Sequence, residues 1–254
     1  MYAFLFKPRW LALHVAALIL AVLFVNFGFW QVRRLSQRRT TNALISERVS
    51  ATAAPLADLI GRDDALYRNT VVSGRYDAAN ELLQRTANNY NGEAGYYLLT
   101  PLILEDGRAL LVRRGWVPFE LNEPPVAEAT PPAGEVTTSG ELLEAYRRPT
   151  GPLAWLSPRD PPGELDIAFY VNTDRLETQL SYELLPYYLE LREQIPATDS
   201  RLPLPNLPLE LSEGSHLGYA IQWFTFALIG VVGYVLVLRQ VAQSRDEQTD
   251  EQAA

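Results

Sequence analysis

Residues 10–30 read WLALHVAALILAVLFVNFGFW and carry no formal charge apart from a protonatable His14. As a helix the stretch would be about 30 Å long, the thickness of the hydrocarbon core of a bilayer. Buried core helices of this length and so free of charge are uncommon. A signal-peptide core is shorter and ends at a small-residue cleavage site, and none precedes Gln31. The stretch therefore reads as a retained membrane anchor. Residues 217–238, LGYAIQWFTFALIGVVGYVLVL, repeat the pattern near the other end of the chain. The fold class expected is two transmembrane α-helices, N- and C-terminal, bracketing an extracytoplasmic domain that is mainly antiparallel β, barrel-like and α+β.

Outward from these spans, charge gives a divided account of orientation. Lys7 and Arg9 precede the first span, but Arg33, Arg34, Arg38 and Arg39 follow it. Positive-inside counting there puts the middle domain in the cytoplasm. The second span points the other way, with Arg239 and Arg245 after it and Glu213 before it. Long loops translocate largely regardless of charge. On the second span's charges together with the family resemblance described below, the expectation is a cytoplasmic N-terminus (1–9) and a cytoplasmic, disordered tail (239–254), with the domain outside.

Between the spans, residues 31–66 are expected to form a helical stalk, residues 67–195 the β-rich domain and residues 196–216 an extended linker. Alternation predicts strands over residues 68–76, 81–87, 96–104, 109–117, 134–143 and 187–192, and a short helix over 173–181. Asp106-Gly107 predicts a hairpin turn. The proline-rich stretches 118–132 and 149–162 read as loops, because proline removes ladder donors.

Composition excludes several functions. The formal charge of −8 over 254 residues argues against a nucleic-acid partner. Without cysteine there is no disulfide, thiolate zinc site, iron–sulfur cluster or covalently attached haem. Met1 is the only methionine, which argues against a soft copper(I) site. The two histidines, His14 and His216, both lie in or beside the spans, so the β-rich domain has no histidine for a catalytic triad. It also lacks a phosphate loop, GxGxxG and HExxH. Glu141 and Glu144 read as an exposed, solvated face.

The ends of the spans nearest the domain carry more chemistry. His216, Tyr219, Ala220 and Trp223 follow helical spacing, and Gly28, Trp30, Gln31 and Arg34 end the first span at the same depth. One reading of Trp30 and Tyr219 is an interfacial aromatic belt, and of His216 a solvated residue at a helix start. The other is a haem site, with His216 as an imidazole ligand, aromatic rings covering the macrocycle, and Arg33 or Arg34 pairing with propionates. His14 lies about 24 Å along the helix from Trp30, so both histidines cannot bind one iron. His14, Asn26 and Gln222 equally suit helix-packing contacts.

Four motifs in order then resemble the surfeit locus protein 1 family of cytochrome c oxidase assembly factors. They are Gly28-Phe29-Trp30-Gln31 with Arg34-Leu35, Gly74-Arg75-Tyr76 with residues 95–102 (GYYLLTPL), residues 112–118 (VRRGWVP), and residues 216–223 (HLGYAIQW). Arg113 stands where asparagine is common in the family. The resemblance implies a non-enzymatic helper of haem a insertion into oxidase subunit I. It implies His216 as haem ligand, with Tyr219, Trp223, Trp30, Gln31 and Arg34 around it. Oxidase subunit I and the haem a synthesis machinery would be the partners, and a bacterial cytoplasmic membrane the location. Two alternatives stay open. One is a scaffold that stabilises an oxidase intermediate without haem, and the other is a membrane-tethered envelope enzyme. Gly115-Trp116-Val117-Pro118 also has a structural reading, ending a strand with Trp116 covering the barrel edge and Pro118 stopping the ladder.

Overall fold

A computed structural model describes residues 3–85, 90–198 and 200–251. In chain order its elements are α1 (Pro8–Ser50), β1 (Ala54–Pro55), α2 (Leu56–Leu59), β2 (Asn69–Tyr76), β3 (Leu82–Arg85), β4 (Gly95–Ile103), β5 (Ala109–Pro118), β6 (Glu135–Glu144), β7 (Ile167–Ala168), α3 (Thr173–Glu177), β8 (Leu184–Ile195) and α4 (His216–Glu251). The chain forms two units, Met1–Leu44 with Leu211–Ala254, and Ile45–Glu210.

The first unit is built from α1 and α4, both long and apolar enough to cross a membrane. Pro8 opens α1, the position where its fixed φ suits a helix and its missing N–H goes unneeded. The helix runs through the polar sequence after residue 30 but leaves off at Ser50, short of the stalk expected to residue 66. Ala54 precedes Pro55, and a residue before proline is pushed towards extended backbone. There β1 forms, pairing in parallel with β2, and Thr70 Oγ1 donates to the Ala54 carbonyl at 2.9 Å. At the other end α4 continues past Ser244 to Glu251, where the sequence suggested disorder. Gln, Glu and Arg are good helix formers and carry it on. Residues 252–254 lie outside the described part, as do residues 86 and 87 of the strand expected over 81–87.

In the second unit the longer strands fall close to their expected places. Five of them close a ring: β2 pairs with β6, β6 with β8, β8 with β5, β5 with β4, and β4 again with β2. The closing contact is short, Arg75 opposite Ile103 and Tyr76 opposite Leu102. Gly74 makes it possible, because a Cβ there would lie 2.4 Å from the Ile103 carbonyl oxygen. Barrel closure and antiparallel order each hold in part. β1, β3 and β7 are outside the ring, and β1–β2, β3–β7 and β5–β8 are parallel. The two-residue strands β1 and β7 are too short to show any periodicity in sequence.

Alternate residues of all five ring strands, among them Val72, Leu102, Val112, Val136 and Leu189, make one buried cluster. Leu82, Leu99, Leu111, Leu143 and Leu176 make a second, and Leu83, Leu98, Val117 and Val126 a third. Between ring and loops lies a buried ion pair, Glu81–Arg114 at 2.9 Å, with each side chain 1% exposed. Glu81 also accepts from Thr100 Oγ1 and the Val126 N–H, while Arg114 donates to the Ala129 carbonyl. The pair fastens the proline-rich loop that follows β5 to the sheet. Burial holds the Arg114 guanidinium below its ordinary pKa, against the pull of Glu81.

Glu141 and Glu144 do not form a solvated pair. Three residues apart on a strand, they point to opposite faces. Glu141 is buried and accepts from Arg192 Nε at 2.7 and 2.9 Å. Trp116 is buried, stacks on Tyr90 with ring centroids 5.1 Å apart, and exchanges backbone hydrogen bonds with Leu204 at 2.8 Å. The segment after β8 is therefore docked on the domain at this point. Asn206 adds donations to the carbonyls of Arg113 (2.6 Å) and Leu191 (3.1 Å).

Candidate functional site

Within the first unit α1 and α4 run antiparallel. Their partners show it: His14 meets Tyr234, Phe24 meets Trp223, Gly28 meets Phe224 and Gln31 meets His216. On α1 the buried positions 28, 31 and 35 are spaced by three and four, so they share one face. Ala220 and Ala227 are the buried positions of α4 near them.

Gly28 and Gln31 explain the local sequence. A Cβ on Gly28 would lie 2.6 Å from the Phe224 ring, so only glycine lets that ring sit against α1. One turn later Gln31, 8% exposed, places Oε1 2.8 Å from His216 Nδ1. With the Gln31 carbonyl oxygen accepting, Nδ1 is the donor, and in the neutral imidazole the lone pair is then on Nε2. No described residue hydrogen-bonds to Nε2. It faces Gly214, where an added Cβ would lie 3.7 Å away. This is how ligating histidines are commonly prepared: an outer hydrogen bond fixes the tautomer and turns the other nitrogen towards the metal.

Next along the seam is a group of rings. Trp223 lies 5.0 Å from Phe27 and 5.6 Å from Phe24, centroid to centroid, and Phe226 lies 6.0 Å from both Phe24 and Trp223. On the domain side of His216, Arg39 forms a two-pronged ion pair with Glu213 at 2.8 and 2.9 Å. That hydrogen bonding holds the Glu213 carboxyl below its ordinary range. Asn42 donates to the Leu211 carbonyl at 2.8 Å.

The six residues singled out from sequence divide accordingly. His216 and Gln31 meet directly, and Trp223 joins the rings on the same seam. Tyr219 and Trp30 point outward, 49% and 47% exposed. Arg34 is exposed and donates to Gln37 of its own helix at 3.4 Å. Tyr219 leaves the seam because α4 meets α1 through Ala220 and Ala227, on the other side of His216 around the helix. Sequence reasoning passed over Phe24, Phe27 and Phe224, whose apolar character is common to the whole span. Their spacing of four from Gly28, Gln31 and Ala220 respectively is the one signal they carry. His14 hydrogen-bonds to Tyr234, a contact between helices, while Asn26 donates to the Val22 carbonyl of its own helix at 2.7 Å. Among the described residues no group of three or more His, Cys, Asp or Glu is placed to hold a metal ion.

Comparison with known proteins agrees with the motifs. A SURF1-like protein of Mycobacterium bovis is 26% identical over 238 residues, 91% of this chain and 84% of its own length. A SURF1-like protein of Rickettsia felis is 25% identical over 236 residues, covering 90% of this chain and 97% of that protein. The cytochrome oxidase assembly protein SHY1 of Saccharomyces cerevisiae is 33% identical over 112 residues, 42% of this chain and 28% of the yeast protein. The family model for the SURF1 family matches residues 18–228. That match takes in the end of the first span, the whole β-rich unit and the histidine-bearing start of α4, and the chain belongs to the SURF1 family.

Proposed function

We propose that this chain is a membrane-bound assembly factor for a haem–copper oxidase, and that it holds haem a on its way to subunit I through His216. In this reading both α1 and α4 cross a bacterial cytoplasmic membrane and the β-rich unit is extracytoplasmic. The protein acts as carrier and not as enzyme, and haem is its cargo.

The observation that carries the reading is the Gln31–His216 hydrogen bond at 2.8 Å. It leaves Nε2 without a hydrogen-bond partner among the described residues and held in orientation, which suits a haem ligand. Trp223, Phe24 and Phe27 offer an apolar face next to it. Arg33, Arg34 and Arg38 are exposed on the adjoining turns of α1 and suit propionates. His14 is engaged with Tyr234 at the far end of the span, so the second axial position is left to water or to a partner. A protein bearing one protein-derived ligand gives up its cargo more readily than one bearing two, as a carrier must.

The test is spectroscopic. Protein purified from cells that make haem a should show haem a absorption, and His216→Ala should lose it. A wild type without haem, or a variant that keeps it fully, contradicts the reading.

A second reading, a scaffold that acts without haem, draws on a different feature. Leu153, Trp155 and Leu156 are exposed on the short 3-10 turn Ala154–Leu156 of the second unit. Arg148 holds that turn through the carbonyls of Ala154, Ser157 and Pro158. A rigid, exposed Trp-Leu patch suits a protein partner. Under this reading Trp155→Ala would abolish co-purification with oxidase subunits, and His216→Ala would leave it intact.

A further inference from the structure

Below the aromatic group the α1–α4 seam opens into a groove of about 600 Å³. Ala21 and Phe24 of α1 and Gly230 and Gly233 of α4 line it, and His14 with Tyr234 marks its end. We propose that this groove takes the isoprenoid chain of the same haem a whose iron His216 holds. The inference rests on the haem reading above and adds a second, separable binding element to it.

Three observations support that occupant. The first is position. Gln31, at the level of His216, is seven residues from Phe24 at the mouth of the groove, about 10 Å along the helix. The haem ring spans part of that distance from the iron, and the first carbons of the chain span the rest. From Phe24 to His14 is a further ten residues, about 15 Å, comparable to an extended chain of three isoprene units. Iron site, ring platform and groove thus follow one another along a single seam.

Chemistry is the second. The lining is almost wholly apolar, and its polar pair is already engaged, His14 Nδ1 with Tyr234 Oη. A groove whose hydrogen-bonding groups bond to each other suits a hydrocarbon chain better than a polar head group. Shape is the third. The seam is tight at Gly28, where Phe224 fills the space, and opens at Gly230 and Gly233, where an added Cβ would meet nothing within 4 Å. These two glycines are not needed for close packing of the helix pair. What they leave is room.

Because a Cβ at Gly230 or Gly233 meets no atom within 4 Å, side chains placed there start in open space and fill the groove before they press on α1. The experiment titrates the purified full chain, in nanodiscs, with haem a and with haem b, which lacks the isoprenoid chain, and follows the visible spectrum. The wild type should hold haem a roughly tenfold more tightly than haem b, because only haem a makes the many small van der Waals contacts of a chain lying in the groove. Gly233→Leu and Gly230→Leu should bring haem a down to the haem b affinity and leave haem b unchanged. His216→Ala should weaken both.

Unchanged haem a affinity in both filled variants would mean that the groove holds lipid acyl chains only, and would overturn the proposal. Equal loss of the two haems in Gly233→Leu and in the smaller change Gly230→Ala also counts against it, since the helix pair and not the chain site would then be affected. A wild type that binds neither haem removes the iron site and this inference together. A wild type that binds both haems equally removes only this inference.

Discussion

Gln31 Oε1 lies 2.8 Å from His216 Nδ1, a contact between residues 185 positions apart that joins the end of one span to the start of the other. It ties two motifs, one at each end of the chain, into a single unit. Neither alone would fix the imidazole: the histidine needs an acceptor to set its tautomer, and the glutamine needs a donor to justify its burial.

The first prediction follows directly. Gln31→Leu keeps the bulk of the side chain and removes the acceptor. Haem binding should weaken about 10- to 100-fold, the usual cost of losing an outer partner of a ligating histidine. Gln31→Glu restores an acceptor and should recover much of the loss. Titration of each purified variant with haem a measures both effects, and a Gln31→Leu protein with wild-type affinity would remove the orienting role.

Gly28 carries the second. Gly28→Leu would drive a side chain into the Phe224 ring, whose atoms lie 2.6 Å from even a Cβ. The helices should separate locally, and the His216–Gln31 contact with them. The double variant Gly28→Leu, Phe224→Ala should recover much of the packing. Thermal melts of the full chain in detergent should show a lower unfolding temperature in the single Gly28 variant and its return towards the wild type in the double.

In the β-rich unit, breaking the Glu81–Arg114 pair from one side should cost about 3–5 kcal/mol, because a charge is left buried without its partner. Glu81→Gln and Arg114→Leu should each lower the unfolding temperature more than the double change does. Thermal melts of the full chain in detergent measure the three proteins side by side. Additive losses would show that the two side chains are energetically independent, against the geometry.

Alkaline pH gives the fourth. Burial raises the pKa of Tyr76, Tyr182 and Tyr188, and for Tyr182 the Asp77 carboxylate adds to the rise. In each case the folded state holds its proton beyond the point at which the unfolded chain loses it. The stability contributed is fully present below about pH 10, the ordinary tyrosine value, and is lost as pH climbs above it. Tyrosinate absorbance at high pH should therefore appear in two stages, with exposed tyrosines first and the buried set only together with unfolding. Smooth titration of all of them before any loss of secondary structure would contradict the burial of Tyr76 and Tyr188 and the hold of Asp77 on the half-buried Tyr182.

The spans were legible because a long uncharged apolar run has few structural outcomes, and the longer strands because alternation over eight or more residues is hard to produce otherwise. His216 and Gln31 could be named from sequence because polar groups at the edge of a span stand out. Their hydrogen bond could not, since nothing local links residue 31 to residue 216. The same limit hid the burial of Glu81 and Glu141, which as isolated carboxylates look like solvated surface. It also hid the parallel pairing of β5 with β8 and the closure of β2 on β4. Sequence by itself determined the two long apolar helices, the longer strands and which side chains carry unusual chemistry, because these depend on residue type and short-range spacing. Only the tertiary structure decided which of those side chains meet. It turned Tyr219 and Trp30 outward, brought Gln31 onto His216 and left a groove between α1 and α4, because helix faces are chosen by how two surfaces pack and not by either surface alone.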